Sequence, residues 1–290
     1  MMRLLQSNPY SSLKEFFDQN GVRPQIVDLD SSKAYSIKGR KGSIFYISNN
    51  AFLDSEGNLP KGKIEFYFKE IFNRSEMVLS NKFSTSADQF MESLAQIYIQ
   101  ASYNGELLKL REPIHIQLPH LELAKGQNNP RLFQASKATS KAFSFDQAFD
   151  WQRVPKRGIS LKKEGKERFY SFQVERMNWY ACNVQPSKKQ KQDMLSIKYH
   201  CKWGGLEQGV AFLFFQKHNA VARMYPQGQS FTSFNIPHSE SVYAIIIGVK
   251  EEQLFWGELF IPKISNMTHI LEVKPKNEAH VLQRLASLES

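Results

Sequence analysis

The chain has 290 residues, 41% hydrophobic and 23% charged, which excludes disorder throughout and allows one large domain or two smaller ones. Its 22 Phe and 11 Tyr favour pleated, half-buried surfaces over an all-helical fold. The formal net charge is +10, and the two cysteines are too few for a disulfide-stapled scaffold or a four-cysteine zinc site.

Ser11 to Gly21 reads as a short helix. Ser12 and Glu15 form a capping box, Asn20-Gly21 stops the helix before Pro24, and Leu13, Phe16 and Phe17 share a face that would dock on a sheet. This helix and its lead-in occupy residues 1–24. No apolar h-region or cleavage site follows Arg3, so no export signal is expected in the chain as given.

From Gln25 short strands alternate with turns. Ile64, Phe66 and Phe68 alternate with Lys63, Glu65, Tyr67 and Lys69, as in a half-buried antiparallel strand. Ala95, Ile97, Ile99 and Ala101 repeat the pattern, Asn104-Gly105 marks a tight hairpin, and Ile114 to Leu118 is a further strand closed by Pro119. The expected unit is a β-sandwich over residues 25–122. Asp54 to Asn58 lacks the register and distal glutamate of a calcium loop and reads as a turn. Gly39-Arg40-Lys41-Gly42 has no helix after it, so it also reads as a turn and not as a phosphate cradle.

Periodicity fades after Leu123, and residues 123–168 read as a basic linker or long loop. Eleven Lys and Arg against four Asp and Glu give this segment +7 of the total charge. Its candidate binding residues are Lys141, Phe149, Trp151, Arg153, Lys156, Arg157, Lys162 and Lys163, because aromatic platforms beside cations are what single-stranded nucleic acid requires. Aromatics that anchor a loop onto two lobes have the same pattern. The anchored, solvated linker is the favoured reading, and for a protein of the cell envelope an anionic glycan or envelope surface is preferred to nucleic acid as the charge partner. Lys188-Lys189-Gln190-Lys191 reads as a charged hairpin tip.

Strand patterns resume from Phe169 and run to Ile261. Val281, Leu282, Leu285 and Leu288 then recur at helical spacing. A second β lobe with a terminal helix is expected over residues 169–290. The fold class is therefore mainly β: two β-sandwich-like lobes with a short N-terminal helix and a C-terminal helix. Cys182 and Cys201 both fall in strands, so one disulfide and two free thiols are both open.

No Gly-x-Ser-x-Gly or His-Glu-x-x-His pattern occurs, and the seven histidines are scattered. His200 and Cys201 are adjacent on a strand and point to opposite faces, so they cannot act as a dyad. No metal, cofactor or catalytic residue is expected, and no run approaches the roughly 18 apolar residues of a membrane-spanning helix.

Ile37 to Phe52, Gly57-Asn58, Gly62-Lys63-Ile64-Glu65-Phe66, Ser75 to Ser80, Ser84-Thr85-Ser86 and Ile97 to Leu107 together resemble ZU5-like β-sandwich domains in surface proteins and lipoproteins of Bacteroidetes. Asn178 to Asn183 resembles a degraded Trp-Ile-Asn-x-Asp-Arg strand of the same group, without its Asp-Arg pair. The resemblance implies a non-enzymatic scaffold or interaction module of the bacterial cell envelope, in the periplasm or at the surface, that binds a protein or glycan. The His-Phe-Ser sequence of self-cleaving members is absent, and His238-Ser239 lacks the intervening Phe. The alternatives are a basic nucleic-acid-binding protein, or a hydrolase with a dispersed site. Without an export signal, a cytoplasmic location stays open.

Overall fold

The computed structural model describes residues 10–85, 90–120, 129–137, 149–185, 192–202, 204–238 and 240–289. The protein is mainly β, with a short N-terminal helix, a C-terminal helix and a third helix of six residues.

Helix α1 (Leu13–Asn20) begins where the Ser12 side chain accepts the Glu15 N–H at 3.2 Å, and it ends as the Gly21 N–H donates to Phe17 O. The Glu15 carboxylate reaches back to the Ser11 N–H at 2.9 Å, one residue before the cap. Buried Leu13, Phe16 and Phe17 form one face, as the spacing requires.

The first lobe contains β1 (Gln25–Asp30), β2 (Tyr35–Lys38), β3 (Ile44–Ile47), β4 (Phe52–Leu53), β5 (Lys63–Ile71), helix α2 (Arg74–Leu79), β6 (Glu92–Tyr103), β7 (Glu106–Leu107), β8 (Lys109–Leu110) and β9 (Ile114–Pro119). It continues through β10 (Arg131–Lys137), β11 (Phe149–Gly158), β12 (Ser160–Glu164), β13 (Glu167–Val174) and β14 (Trp179–Val184). One sheet has the order β1-β5-β6-β14-β10-β11, with β7 also on β6; the other is β12-β13-β9-β3-β2. Phe45, Phe66, Phe68, Ile97, Ile116 and Phe172 fill the core between them. Asn104 and Gly105 both have positive φ, the geometry that matches the twist of the β6–β7 hairpin.

Two boundaries therefore shift. The described parts of residues 123–168 are mostly strands β10, β11, β12 and the start of β13, not a linker. β12 is exposed at every position, so no alternation betrays it. Residues 169–184 supply the rest of β13 and all of β14, which pair with β9 and with β6 of the first lobe and not with the second.

The second lobe contains β15 (Gln192–Cys201), β16 (Gln208–Phe215), β17 (Val221–Gln227), β18 (Ser230–Pro237), β19 (Val242–Lys250), β20 (Gln253–Ile261) and β21 (Thr268–Pro275), followed by α3 (Glu278–Glu289). These seven strands close into a barrel in the order β15-β18-β17-β16-β19-β20-β21. An odd ring of alternating strands must contain one parallel pair, and here it is β15 with β21. Leu195, Ile197, Phe231, Ile246 and Leu271 point into the barrel.

The outer barrel wall on β16, β19 and β20 is also buried. Phe212, Phe214, Ile245, Ile247 and Trp256 lie beneath Leu13 and Phe16 of α1, Met77 of α2 and Val281 of α3. Burial on both faces explains the unbroken apolar runs Val210–Phe215 and Val242–Val249. Tyr10 OH donates to Glu278 Oε2 at 2.5 Å, and Arg74 joins Glu289 at 3.1 Å, so the helices are tied across the chain ends.

The lobes meet along the segment after α2. Ser84 N–H donates to Val221 O at 3.0 Å, Asn183 Nδ2 donates to Ser84 O, and Phe90 enters the barrel core against Phe215. Asn219 Nδ2 donates to Phe72 O and Ser93 O, both at 2.7 Å.

Candidate functional site

Of the candidate binding residues of 141–163, the structure describes the side chains of Trp151, Arg153, Lys162 and Lys163, which lie on two different sheets. Trp151 is only 4% exposed. It packs with Phe133, Met91 and Ala181, and its Nε1–H donates to Phe83 O at 2.8 Å. Its ring is therefore a structural contact against the inter-lobe segment and not a stacking platform. Arg153 is exposed on the seven-stranded sheet, whereas Lys162 and Lys163 are exposed on the β12–β13 hairpin of the other sheet. Adjacent Lys162 and Lys163 point to opposite faces of that hairpin. Lys141 lies outside the described residues, and for Phe149, Lys156 and Arg157 only the β11 backbone is described. The 188–191 tip also lies outside them.

Cys182 sits in β14 of the sandwich and Cys201 in β15 of the barrel, and both are free thiols. Their strands belong to different sheets, so no bridge joins them. Burial pushes the Cys182 thiol far above its usual range.

The Gly39–Gly42 turn has an internal ligand. The Glu70 carboxylate, on β5 and 1% exposed, accepts the Lys41 N–H at 3.2 Å, the Ser43 N–H at 3.1 Å and Gln25 Nε2 at 2.7 Å. Amides that could cradle a phosphate thus hold the chain's own anion. A Cβ at Gly39 would overlap that carboxylate, so any larger residue there must displace it. The Asp54 turn is similarly self-contained, with Asp54 Oδ1 accepting the Glu56 and Asn58 N–H groups.

Among the described residues, no helix packs on the barrel wall formed by β18, β15 and β21, and several large apolar side chains are exposed there. On adjacent strands β18, β15 and β21 inward Phe231, Leu195, Ile197, Leu271 and Val273 alternate with outward residues. The outward positions include Phe234, 41% exposed, Met194, 46%, and Ile270, 73%; Met267, 60% exposed, adjoins β21. The Phe234 ring is 6.4 Å from Tyr225, and Ser196 Oγ meets Thr232 Oγ1 at 3.0 Å on the same wall. Exposed Lys198 lies opposite Ile270. Lys274 at 2.8 Å and Lys202 at 3.8 Å flank Glu272, and the hydrogen bond from Lys274 holds that carboxyl below its usual range. The signal in the sequence is an apolar residue on the wet phase of an alternating strand, such as Ile270 between Thr268 and Glu272.

Fold and surfaces together define a two-lobed β protein, a sandwich joined to a barrel with helices packed on one wall, with Phe234, Met194, Met267 and Ile270 exposed on or beside another wall of that barrel. No family model matches the chain, and no curated protein matches it in sequence. Among the described residues there is no group of three or more His, Cys, Asp or Glu that could hold a metal ion, and no helix is long and apolar enough to cross a membrane.

Proposed function

We propose that the protein is a non-enzymatic interaction module of the bacterial cell envelope that docks a protein partner through the β18–β15–β21 wall of its barrel. The asymmetry of the barrel carries this reading. The chain buries one outer wall under three helices of its own, yet leaves Phe234, Met194, Met267 and Ile270 in solvent on the other. Large apolar side chains grouped within a polar rim mark interaction sites. The envelope assignment rests on the resemblance of residues 25–120 to ZU5-like domains.

The test combines cell fractionation with site-directed photocrosslinking from position 234. Recovery in the envelope fraction with one recurrent crosslinked protein is expected, and Met194→Lys with Ile270→Lys should abolish the crosslink without changing the melting curve. A cytosolic protein, or a crosslink indifferent to both substitutions, would overturn the reading.

A further inference from the structure

A second surface lies on the sandwich, independent of the barrel wall. β14 pairs with β6 only as far as Trp179, opposite Tyr98, and β7 resumes the same edge of β6 at Ser102. The flanking backbone bonds are Ile99 N–H to Asn178 O at 3.1 Å and Leu108 N–H to Ala101 O at 3.0 Å. Between them the sheet is notched, and a cleft of about 570 Å³ opens at Gln100.

Leu108, Leu110 and Met177 line it from the edge of the sandwich core. The Tyr98 ring also lines it and is packed 5.1 Å from Trp179. Tyr98 OH donates to Gln100 Oε1, which engages the amide's acceptor and leaves its N–H₂ as donor. Lys109 and Arg176 also line the cleft, are exposed, and enter no ion pair among the described residues. Glu175 is the acidic residue of the lining and disfavours a second negative charge on a ligand. Tyr180 OH fixes this loop by donating to Arg176 O at 2.9 Å.

Two cations and an amide donor beside an aliphatic surface complement a single carboxylate on an apolar body. We propose that the notch binds the C-terminal residue of a partner polypeptide, its α-carboxylate on Arg176 and Lys109 and its apolar side chain on Leu108, Leu110 and Met177. The cleft volume suits a few residues and not a helix.

The probe is the tetrapeptide acetyl-Gly-Gly-Ala-Leu, titrated as free acid and as C-terminal amide into the full chain and followed by calorimetry. The acid should bind saturably and the amide about tenfold more weakly. Arg176→Gln with Lys109→Gln should erase that difference, and Arg176→Lys should restore part of it. Ile270→Lys on the barrel wall should leave peptide binding unchanged, so failure here is distinguishable from failure of the docking wall. Equal binding of acid and amide, or no saturable binding of the acid, would sink the proposal.

Discussion

His218 Nδ1, on the β16–β17 hairpin of the barrel, lies 3.1 Å from Glu92 Oε2 on β6 of the sandwich. Its Nε2 lies 3.4 Å from Glu240 Oε1, and the Phe90 ring sits edge-on at 5.7 Å. With a carboxylate at each ring nitrogen, the imidazolium is the form that satisfies both contacts. The same Glu92 also accepts the Asn219 N–H at 3.2 Å, so this cluster is part of the lobe junction.

The junction is expected to weaken as pH rises. The hydrogen bond to Glu92 raises the His218 pKa above 6.5, with burial opposing it and both carboxylate charges adding to it. A raised folded-state pKa contributes stability that is complete below the unfolded value of 6.5 and disappears as pH climbs through the folded value. Urea unfolding of the wild type and of His218→Asn, compared from mildly acidic to alkaline pH, should show the gap between them closing as pH rises. A gap independent of pH would contradict this.

Glu70 and Gly39 should act as one unit. Glu70→Ala strips the acceptor from the Lys41 and Ser43 N–H groups and should cost about 3 kcal/mol. Gly39→Ala displaces the same carboxylate, so the double variant should cost clearly less than the sum of the two. A double-mutant cycle by denaturant unfolding reads the coupling directly, and strict additivity would refute it.

Thiol chemistry separates the two cysteines. Cys201 is only partly buried against the barrel core and should react with a chromogenic disulfide reagent faster than fully buried Cys182, which should wait for denaturation. Native titration of both thiols, or of neither, would be the contrary result.

Trp151→Phe removes the 2.8 Å bond to Phe83 O and should destabilise the protein by about 1–2 kcal/mol. Arg153→Gln, Lys162→Gln and Lys163→Gln, all at exposed sites, should each stay within about 0.5 kcal/mol. Oligonucleotide titration should leave Trp151 emission unchanged, and quenching that vanishes at high salt would restore the stacking-platform role.

Local chemistry was legible from the chain. The Ser12 cap, the Gly21 stop, the Asn104-Gly105 turn, the alternation of β5 and β6 and the apolar stripe of α3 depend on residues a few positions apart. They settle that this is a mainly β protein with a helix near each end. Sheet membership does not work that way. β13 and β14 return to β9 and β6 across fifty or more residues of sequence, and nothing in Phe169–Val184 distinguishes a partner in one lobe from a partner in the other. Tertiary pairing alone turned the supposed linker into strands, closed the barrel, parted Cys182 from Cys201 and buried Trp151. The exposed wall and the notch at Gln100 follow from the same cause, because an open surface is defined by what the rest of the chain leaves uncovered.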